Sequence, residues 1–221
     1  MSRVLRGAVV ALLAVPLAAC SLRSAAPPVQ SYVLAAPPAA PGHPEARPAS
    51  AAAPAAPALQ VLHPLAAPGL DTDAIVVRLS GGRLNHYAGS RWAVPLPDLV
   101  EALTVQALGA ASDWSALEGS RGVFPAPYLL QLTIRRFDAE YGDGARAPVV
   151  HVLLEGALVR RADRAVLGDF RAEGSAAATE DRLGAVVAAF QQASNAALEN
   201  TAARARQSLQ NGDSPSASSK R

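Results

Sequence analysis

The 221-residue chain carries 20 basic and 18 acidic side chains, and its arginines are scattered along the sequence. This near balance argues against the concentrated basic face that a nucleic-acid-binding protein needs. The single cysteine has no partner for a disulfide within the chain, so the fold depends on a hydrophobic core, which a chain of this length can form.

Residues 1–19 have the pattern of a secretory signal peptide. Arg3 and Arg6 precede an apolar run over residues 8–17, which is shorter than the roughly 20 residues that span a bilayer. Residues 17–20 read Leu-Ala-Ala-Cys and resemble the lipobox of bacterial lipoproteins. That resemblance implies cleavage before Cys20 and acylation of its thiol and of the new amine. The alternative is an ordinary cleavage site beside an unpaired cysteine.

A tether rich in alanine and proline follows, over residues 20–58. Nine prolines lie between Pro27 and Pro57, so extended polyproline II-like forms are expected. One island, residues 31–34 (Ser-Tyr-Val-Leu), has strand character. We favour docking of this island on the body, which leaves a tether of about ten residues and roughly 30 Å. An undocked island leaves a tether that reaches roughly 120 Å.

The body, predicted over residues 59–208, begins with short strands. Apolar runs at residues 59–62 and 75–79 predict two of them, and a turn-rich stretch separates the two runs. Gly81 and Gly82 then turn the chain into a strand at residues 84–87. We therefore expect residues 75–79 and 84–87 to form a hairpin.

The first helix is predicted over residues 96–108. Pro95 and Pro97 stand at its start, and Asp98 lies in the first turn, where the helix dipole favours an acidic side chain. The apolar residues recur at helical spacing: Leu96, Leu99, Val100, Leu103 and Ala107. One face of this helix is therefore expected to pack on the strands.

Three longer strands are predicted next. Residues 128–137 and 165–173 alternate apolar and polar side chains, whereas residues 149–160 are almost continuously apolar, as in a central strand. The connectors at residues 140–144 and 162–164 are rich in turn-forming residues and suit antiparallel hairpins. These segments predict three consecutive antiparallel strands.

A long amphipathic helix is predicted over residues 181–208, followed by a polar, serine-rich tail at residues 209–221 that we expect to be disordered. The predicted fold class is α+β. It consists of a mainly antiparallel sheet with two amphipathic helices packed on it, preceded by the lipidated tether.

The histidines and carboxylates form no strong catalytic or metal-binding pattern. The histidines are His43, His63, His86 and His151. None has the i, i+4 pairing that places two zinc ligands on one helix face. The carboxylate pairs, Asp71 with Asp73 and Asp138 with Glu140, are predicted to be solvated charges rather than an acid–base couple. We therefore expect no enzymatic activity, no cofactor and no metal ion.

The segment over residues 87–97 is more distinctive. It places Arg91 and Trp92 just before Pro95 and Leu96, at the entrance of the first helix. One interpretation is that Trp92 packs over the helix N-terminus as a structural anchor. The other is that these four residues form a partner-binding surface, since tryptophan and arginine are enriched in binding hot spots.

Taken together, these segments resemble the ABC-type transport auxiliary lipoprotein family, the PqiC-like group. The matching stretches are Cys20 with its lipobox, residues 32–34 (Tyr-Val-Leu), 90–96 (Ser-Arg-Trp-Ala-Val-Pro-Leu), 132–138 (Leu-Thr-Ile-Arg-Arg-Phe-Asp) and the amphipathic helix from Asp181. The resemblance covers residues 20–206. The Ala/Pro-rich insertion between residues 34 and 59 departs from the family pattern.

This resemblance implies a periplasm-facing lipoprotein that works with an ABC transporter and an MCE-domain protein to move lipids or other hydrophobic molecules. The partners would hydrolyse ATP, and this chain would be an adaptor, with self-association as a further option. Acyl chains on Cys20 would attach it to a membrane. Ser21 is not the aspartate associated with inner-membrane retention in enteric bacteria, so the outer membrane is expected.

Two other functions remain open at the level of the sequence. A lipoprotein that regulates a periplasmic cell-wall synthase would share the lipid anchor, the proline-rich tether and a small α+β domain. Its tether would have to be long, so the docking of residues 31–34 distinguishes it from the adaptor. A lipid-anchored hydrolase is the third option, and it would need a catalytic cluster that the residue pattern does not provide.

Overall fold

The computed structural model describes residues 28–35, 56–111, 114–118 and 125–213. The signal peptide, Cys20, most of the tether and the end of the tail therefore lie outside the described residues. The elements in chain order are β1 (Gln30–Tyr32), β2 (Ala58–Val61), β3 (Leu65–Ala66), β4 (Ala74–Arg78), β5 (Leu84–Trp92), α1 (Leu96–Ala110), β6 (Ser115–Glu118), β7 (Tyr128–Glu140), β8 (Val149–Arg160), β9 (Ala165–Ala177) and α2 (Leu183–Asp213).

The sheet is organised around β7. Along one edge, β7 pairs antiparallel with β8 over its whole length, and β8 pairs antiparallel with β9. The other edge of β7 is shared by three short strands, β2, β3 and β4, which all run parallel to it. The sheet widens beyond β2 through β6 and beyond β4 through β5 and β1.

This topology corrects one part of the predicted fold class. The fold is α+β with two helices, as expected, but the sheet is mixed rather than mainly antiparallel. The antiparallel pairs β4–β5, β7–β8 and β8–β9 are hairpins between consecutive strands. The parallel pairs join segments that are distant in sequence, and no local turn signal marks such pairs.

The observed elements follow the predicted ones closely, with a few differences in extent. The predicted strand over residues 149–160 has the observed bounds of β8, and the β4–β5 hairpin turns through a short 3-10 segment, Ser80–Gly82. Strand β5 continues to Trp92, and β7 continues to Glu140. The short strands β3 and β6 were not predicted.

The C-terminal helix α2 is longer than predicted and begins slightly later. It runs from Leu183 to Asp213, so it includes residues that we assigned to a disordered tail. Leu209 packs against the core cluster, and Leu167 of β9 lies against Gly212. These apolar contacts extend the order of the helix beyond Ser208.

Both helices and one face of the sheet enclose a single apolar core. At its centre, three aromatic rings join β5, β7 and α2. Trp92 contacts Phe137 and Phe190 edge-on at centroid distances of 5.9 and 5.2 Å, and the two phenylalanine rings stack at 5.2 Å. Such pairs add about 0.5–1.5 kcal/mol beyond the burial of their area.

Helix α2 lies close against β9 because small residues face it. Gly174 of β9 lies against the backbone of Ala193 and Ala197, so a side chain at position 174 would collide with the helix. Gly168 makes a similar approach to Ser208. The side-chain amide of Asn200 also donates to the carbonyl oxygen of Glu173 at 2.9 Å, so the helix covers part of this outer strand.

Candidate functional site

The predicted partner-binding segment is divided between the core and the surface. Trp92 and Leu96 are each only 1% exposed, whereas Arg91 and Pro95 are exposed. The backbone N–H groups of Trp92 and Leu96 donate to the carbonyl oxygens of Asp73 and Thr72, at 2.7 and 2.9 Å. For Trp92 and Leu96 this corrects the surface interpretation, because a partner cannot reach either side chain without rearranging the core.

The burial of Trp92 has a physical reason that appears only in the folded structure. Strand β5 continues through Arg91 and Trp92, and consecutive side chains of a strand point to opposite faces. Trp92 therefore points into the aromatic cluster, while Arg91 points outward and pairs with Asp73 at 3.4 Å. The indole packs against Phe137 of β7 and Phe190 of α2, which supports the structural alternative for this segment.

The N-terminal island docks on the body. Strand β1 pairs parallel with β5, with Tyr32 opposite Trp92, and the N–H of Ala93 donates to the oxygen of Tyr32 at 2.8 Å. Gln191 of α2 clamps Ala35 from the other side, because its side chain accepts from the Ala35 N–H at 2.8 Å and donates to the Ala35 oxygen at 2.6 Å.

The surface around β1 exposes apolar side chains. Val29 is 57% exposed, Val33 72% and Val94 43%. We call this surface the N-terminal ridge and define it by Val29, Val33, Arg91, Val94 and Pro95. The ridge contains both exposed members of the predicted partner-binding segment.

The second surface is the open face of β7, β8 and β9, opposite the helices. An antiparallel sheet commonly packs one face on the core and leaves the other to solvent. Arg135 pairs with Glu155 at 2.6 Å, and Arg171 pairs with Glu173 at 2.5 Å. Each of these four charged side chains therefore has a partner of opposite sign.

At one end of this open face, a carboxylate is fully buried. Asp138 is 0% exposed and accepts hydrogen bonds from Arg78, at 3.0–3.3 Å, and from Arg136, at 2.7–3.3 Å. Arg136 also donates to Glu140 at 2.7 Å, and Glu140 lies 3.6 Å from His151. The prediction of a solvated charge is therefore wrong for Asp138, because two guanidinium groups cover it.

The electrostatics of this cluster suit structure rather than proton transfer. Burial by itself raises the pKa of Asp138, but hydrogen bonds from Arg136 and Arg78 outweigh it and hold the pKa below its usual value. Hydrogen bonds from the same cluster raise the pKa of Arg136. Both groups therefore stay charged over the physiological range, whereas a general acid needs a raised carboxyl pKa.

The sequence contained a signal for this cluster that we did not use. Arg136, Asp138 and Glu140 are spaced by two residues, so on a strand they share one face. We ended the predicted strand at residue 137, which placed Asp138 and Glu140 in a loop or at a strand end. Arg78 could not be found in the same way, because β4 and β7 are distant in sequence.

The cavity in the interior of the molecule is much smaller than the groove on its surface. The apolar cavity between the sheet and the helices has a volume of about 10 Å³ and is lined by Leu103, Phe137 and Leu198, among others. That volume suits one water molecule, whereas sites for drug-sized ligands have about 300–1,000 Å³. A shallow groove of about 370 Å³ crosses the open face beside Arg136, His151 and Leu153.

Neither helix in the described part of the chain is long and apolar enough to cross a membrane. Within the same residues, no three histidine, cysteine, aspartate or glutamate side chains are grouped so that they could hold a metal ion. The exposed side chain of His63, which lies between β2 and β3, contacts two residues near the start of α1: Glu101 at 3.1 Å and Asp98 at 3.6 Å.

Comparison with known proteins identifies the family. The family model of the ABC-type transport auxiliary lipoprotein component matches residues 32–202, from the docked N-terminal segment into α2. The chain belongs to this family. A search of curated proteins found no match.

Two solved structures share the fold of this ABC-type transport auxiliary protein. A Xanthomonas campestris protein of family DUF330 is 24% identical with a TM-score of 0.66, and the match covers 84% of this chain and 97% of that one. An uncharacterized protein is 18% identical with a TM-score of 0.56, over 68% and 91% of the two chains. At these identities the likeness shows the fold alone.

Proposed function

We propose that this protein is an adaptor lipoprotein of an ABC/MCE-type system that transports lipids or other hydrophobic molecules across the cell envelope. The family match over residues 32–202 carries the proposal, since this is a family of transport auxiliary lipoproteins rather than of enzymes. The resemblance of residues 17–20 to a lipobox supports membrane attachment through acyl chains on Cys20. ATP hydrolysis is assigned to the ABC partner.

The packing of the body supports a role in organising other proteins rather than in carrying a lipid internally. The apolar cavity of about 10 Å³ between sheet and helices holds about one water-sized sphere, far less than the roughly 300–1,000 Å³ of sites for drug-sized ligands, so it has no room for an acyl chain. We therefore assign binding of the transported molecule to the MCE partner rather than to the interior of this body.

The membrane is proposed to be the outer membrane, with the body on its periplasmic face. Ser21 follows the proposed acylation site, instead of the aspartate linked to inner-membrane retention. Residues 1–19 are proposed to be removed as a signal peptide, residues 20–29 to form the tether, and residues 59–213 to form the auxiliary domain on which β1 docks. Of the four residues proposed for partner contact, Arg91 and Pro95 are exposed, so only their side chains can reach another molecule, whether protein or lipid.

The docked β1 favours the transport adaptor over the cell-wall synthase regulator. With Gln30–Tyr32 paired to β5, the chain between Cys20 and the body is short. A regulator anchored in the outer membrane would need a long tether to reach a synthase across the periplasm. The clamp between Gln191 and Ala35 opposes release of the segment that would lengthen the tether.

The experiment that tests the adaptor is recovery of the transport partners. The lipidated protein, tagged at its C-terminus and extracted in mild detergent, is expected to copurify with an MCE-domain protein and the ABC subunits. An unrelated outer-membrane lipoprotein carrying the same tag is the matched control. Repeated recovery of neither an MCE nor an ABC subunit would contradict the adaptor function.

A further inference from the structure

Apolar side chains are exposed where the tether joins the body. Val29 comes just before β1 in the chain and Val33 just after it. Val94 lies just after β5, the strand that β1 pairs with. Burial alternates along the docked segment, because Tyr32 and Leu34 turn toward the core and Val33 turns away from it. The alternation keeps Val33 outside while its neighbours hold the strand in place.

The register of β1 and β5 brings Val33 near Val94 on the N-terminal ridge, whereas Val29 lies at the other end of β1, next to Gln30, which is opposite Ser90. Tyr32 lies opposite Trp92, and the N–H of Ala93 donates to the oxygen of Tyr32. The next residue on each strand therefore places Val33 beside Ala93, which Val94 follows in the chain. Single exposed valines need no explanation, but neighbouring ones form a patch of the kind that marks an interaction surface.

The ridge also presents one cation. Arg91 lies opposite Ser31 in the register, and its side chain is 54% exposed. It pairs with Asp73 at 3.4 Å, and the Asp73 side chain is 43% exposed. Water screens such an exposed pair, so an anionic phosphate can compete with Asp73 for the guanidinium group.

The length of the tether identifies what the ridge faces. Pro28, the first described residue, lies eight residues after Cys20. Even fully extended, eight residues span at most about 30 Å, so acyl chains on Cys20 keep the ridge close to the membrane surface. The rest of the body lies farther along the chain from this attachment point.

We infer that the N-terminal ridge rests on the membrane itself, with Val29, Val33 and Val94 at the boundary between headgroups and acyl chains and Arg91 on lipid phosphates. This inference depends on the proposed acylation of Cys20. The contact fixes the orientation of the body on the bilayer, as apolar residues beside a cation do in interfacial proteins. Strand β9 and the open face then remain available to protein partners.

A single-thiol label tests the contact. Acylation turns the thiol of Cys20 into a thioether, and the chain has no other cysteine, so Val33→Cys has one free thiol. Val166→Cys is the matched control, since Val166 is also a strand valine with 57% exposure but lies on β9. Each lipidated variant carries an environment-sensitive fluorophore and is placed in phosphatidylethanolamine–phosphatidylglycerol vesicles, with or without nitroxide-labelled acyl chains.

We expect blue-shifted emission and nitroxide quenching of the label at position 33, and neither effect at position 166. Equal emission at the two positions, on protein whose acylated N-terminus is verified by mass spectrometry, would overturn the inference. Such a result would leave the lipoprotein adaptor intact. A label at position 33 that is shielded only after the MCE protein is added to the vesicles would assign the ridge to a protein partner and also overturn the inference.

Mass spectrometry separates this inference from the proposal beneath it. An unmodified Cys20 would remove the lipid anchor and the ridge contact together. Val33 is exposed, so its replacement by cysteine is expected to leave the fold unchanged, and a melting curve that superimposes on the wild-type curve checks this. Melting curves of the Val166→Cys variant provide the same check for the control.

Discussion

At the scale of single residues, Asp138 shows how a charge can be buried on a sheet face that is otherwise open to solvent. Arg78 and Arg136 lie over the carboxylate, and each of these arginines is less than one third exposed. Burying a charge is costly unless partners satisfy it, so the stability of the cluster depends on all three groups.

Replacing Asp138 with asparagine is expected to destabilise the protein by about 3 kcal/mol, because it removes the carboxylate that pairs with Arg78 and one of the two carboxylates that pair with Arg136. Urea unfolding measures the change. Glu155→Gln is the control, since it breaks the exposed pair with Arg135, and it should cost no more than about 1 kcal/mol. Equal effects of the two substitutions would contradict the structural role of Asp138.

The pH dependence of the Asp138 contribution follows from the direction of its pKa shift. The folded-state pKa is lowered, so the stabilisation is fully present above the unfolded-state pKa and is lost as the pH falls through the folded-state value. The stability difference between wild type and Asp138→Asn should therefore stay constant from about pH 7 to about pH 4 and shrink below that. A difference that already shrinks above pH 5, about one unit over the ordinary pKa, would mean that the pKa is raised.

Trp92 is the residue for which the sequence left two interpretations and the structure supports the packing one. Trp92→Ala is expected to lower the free energy of unfolding by about 3–5 kcal/mol, because the indole fills the centre of the core. Arg91→Ala, one position earlier, should change it by no more than about 1 kcal/mol. Thermal and urea unfolding of both variants, followed by partner recovery, provide the measurement.

An unchanged melting temperature for Trp92→Ala would contradict the packing of this residue in the core. Loss of partner recovery for Trp92→Ala alone, with stability unchanged, would restore the surface interpretation. Arg91→Ala carries the test of a surface role, because Arg91 is the exposed neighbour.

At the scale of secondary structure elements, the close packing of α2 on β9 depends on glycine. Gly174→Ala is expected to destabilise the protein by about 1–3 kcal/mol, since the new methyl group meets the backbone of α2, which cannot move aside as a side chain would. Gly184→Ala is the matched control. Gly184 lies in α2 itself and has open space where the methyl group would be added. Its substitution should leave the free energy of unfolding unchanged or raise it by up to about 1 kcal/mol.

Chemical denaturation of the two variants decides this prediction. Destabilisation by Gly184→Ala as large as that by Gly174→Ala would show that the helix tolerates added methyl groups poorly in general. The specific approach at Gly174 would then not be the cause.

The elements that the sequence predicted well are those with long local patterns. Strand β8 and both helices have apolar residues over 12 or more positions, and connections of eight and four residues join β7 to β8 and β8 to β9. Strands β3 and β6 have two and four residues, too few to establish a period. Their pairing with β7 and β2 is parallel and non-local, and only the folded chain brings these segments together.

At the scale of the whole molecule, the docking of β1 sets how much chain separates Cys20 from the body. We expect the amides of Ala35 and Ala93, which are bonded to Gln191 and Tyr32, to be protected in hydrogen-exchange measurements. Gln191→Ala should speed exchange at Ala35 and leave Ala93 largely protected, because the β1–β5 pairing remains.

Exchange at both amides as fast as in an unstructured peptide would contradict docking. It would also give the protein the long tether that a cell-wall synthase regulator requires. The amide of Leu62, bonded to Leu130 at the opposite end of the sheet, is an internal reference that the Gln191 substitution should not affect.

The sequence by itself determined the features encoded in neighbouring residues: the lipobox pattern, the proline-rich composition of the N-terminal segment, the long strands, the two amphipathic helices and, through their combination, the family. The tertiary structure alone decided that Trp92 is internal, that the sheet is mixed and that Asp138 is enclosed by arginines. Each of these depends on residues that are far apart in sequence. Periodicity and turn chemistry report on a few consecutive residues, whereas burial and parallel pairing are set by which distant segments come into contact.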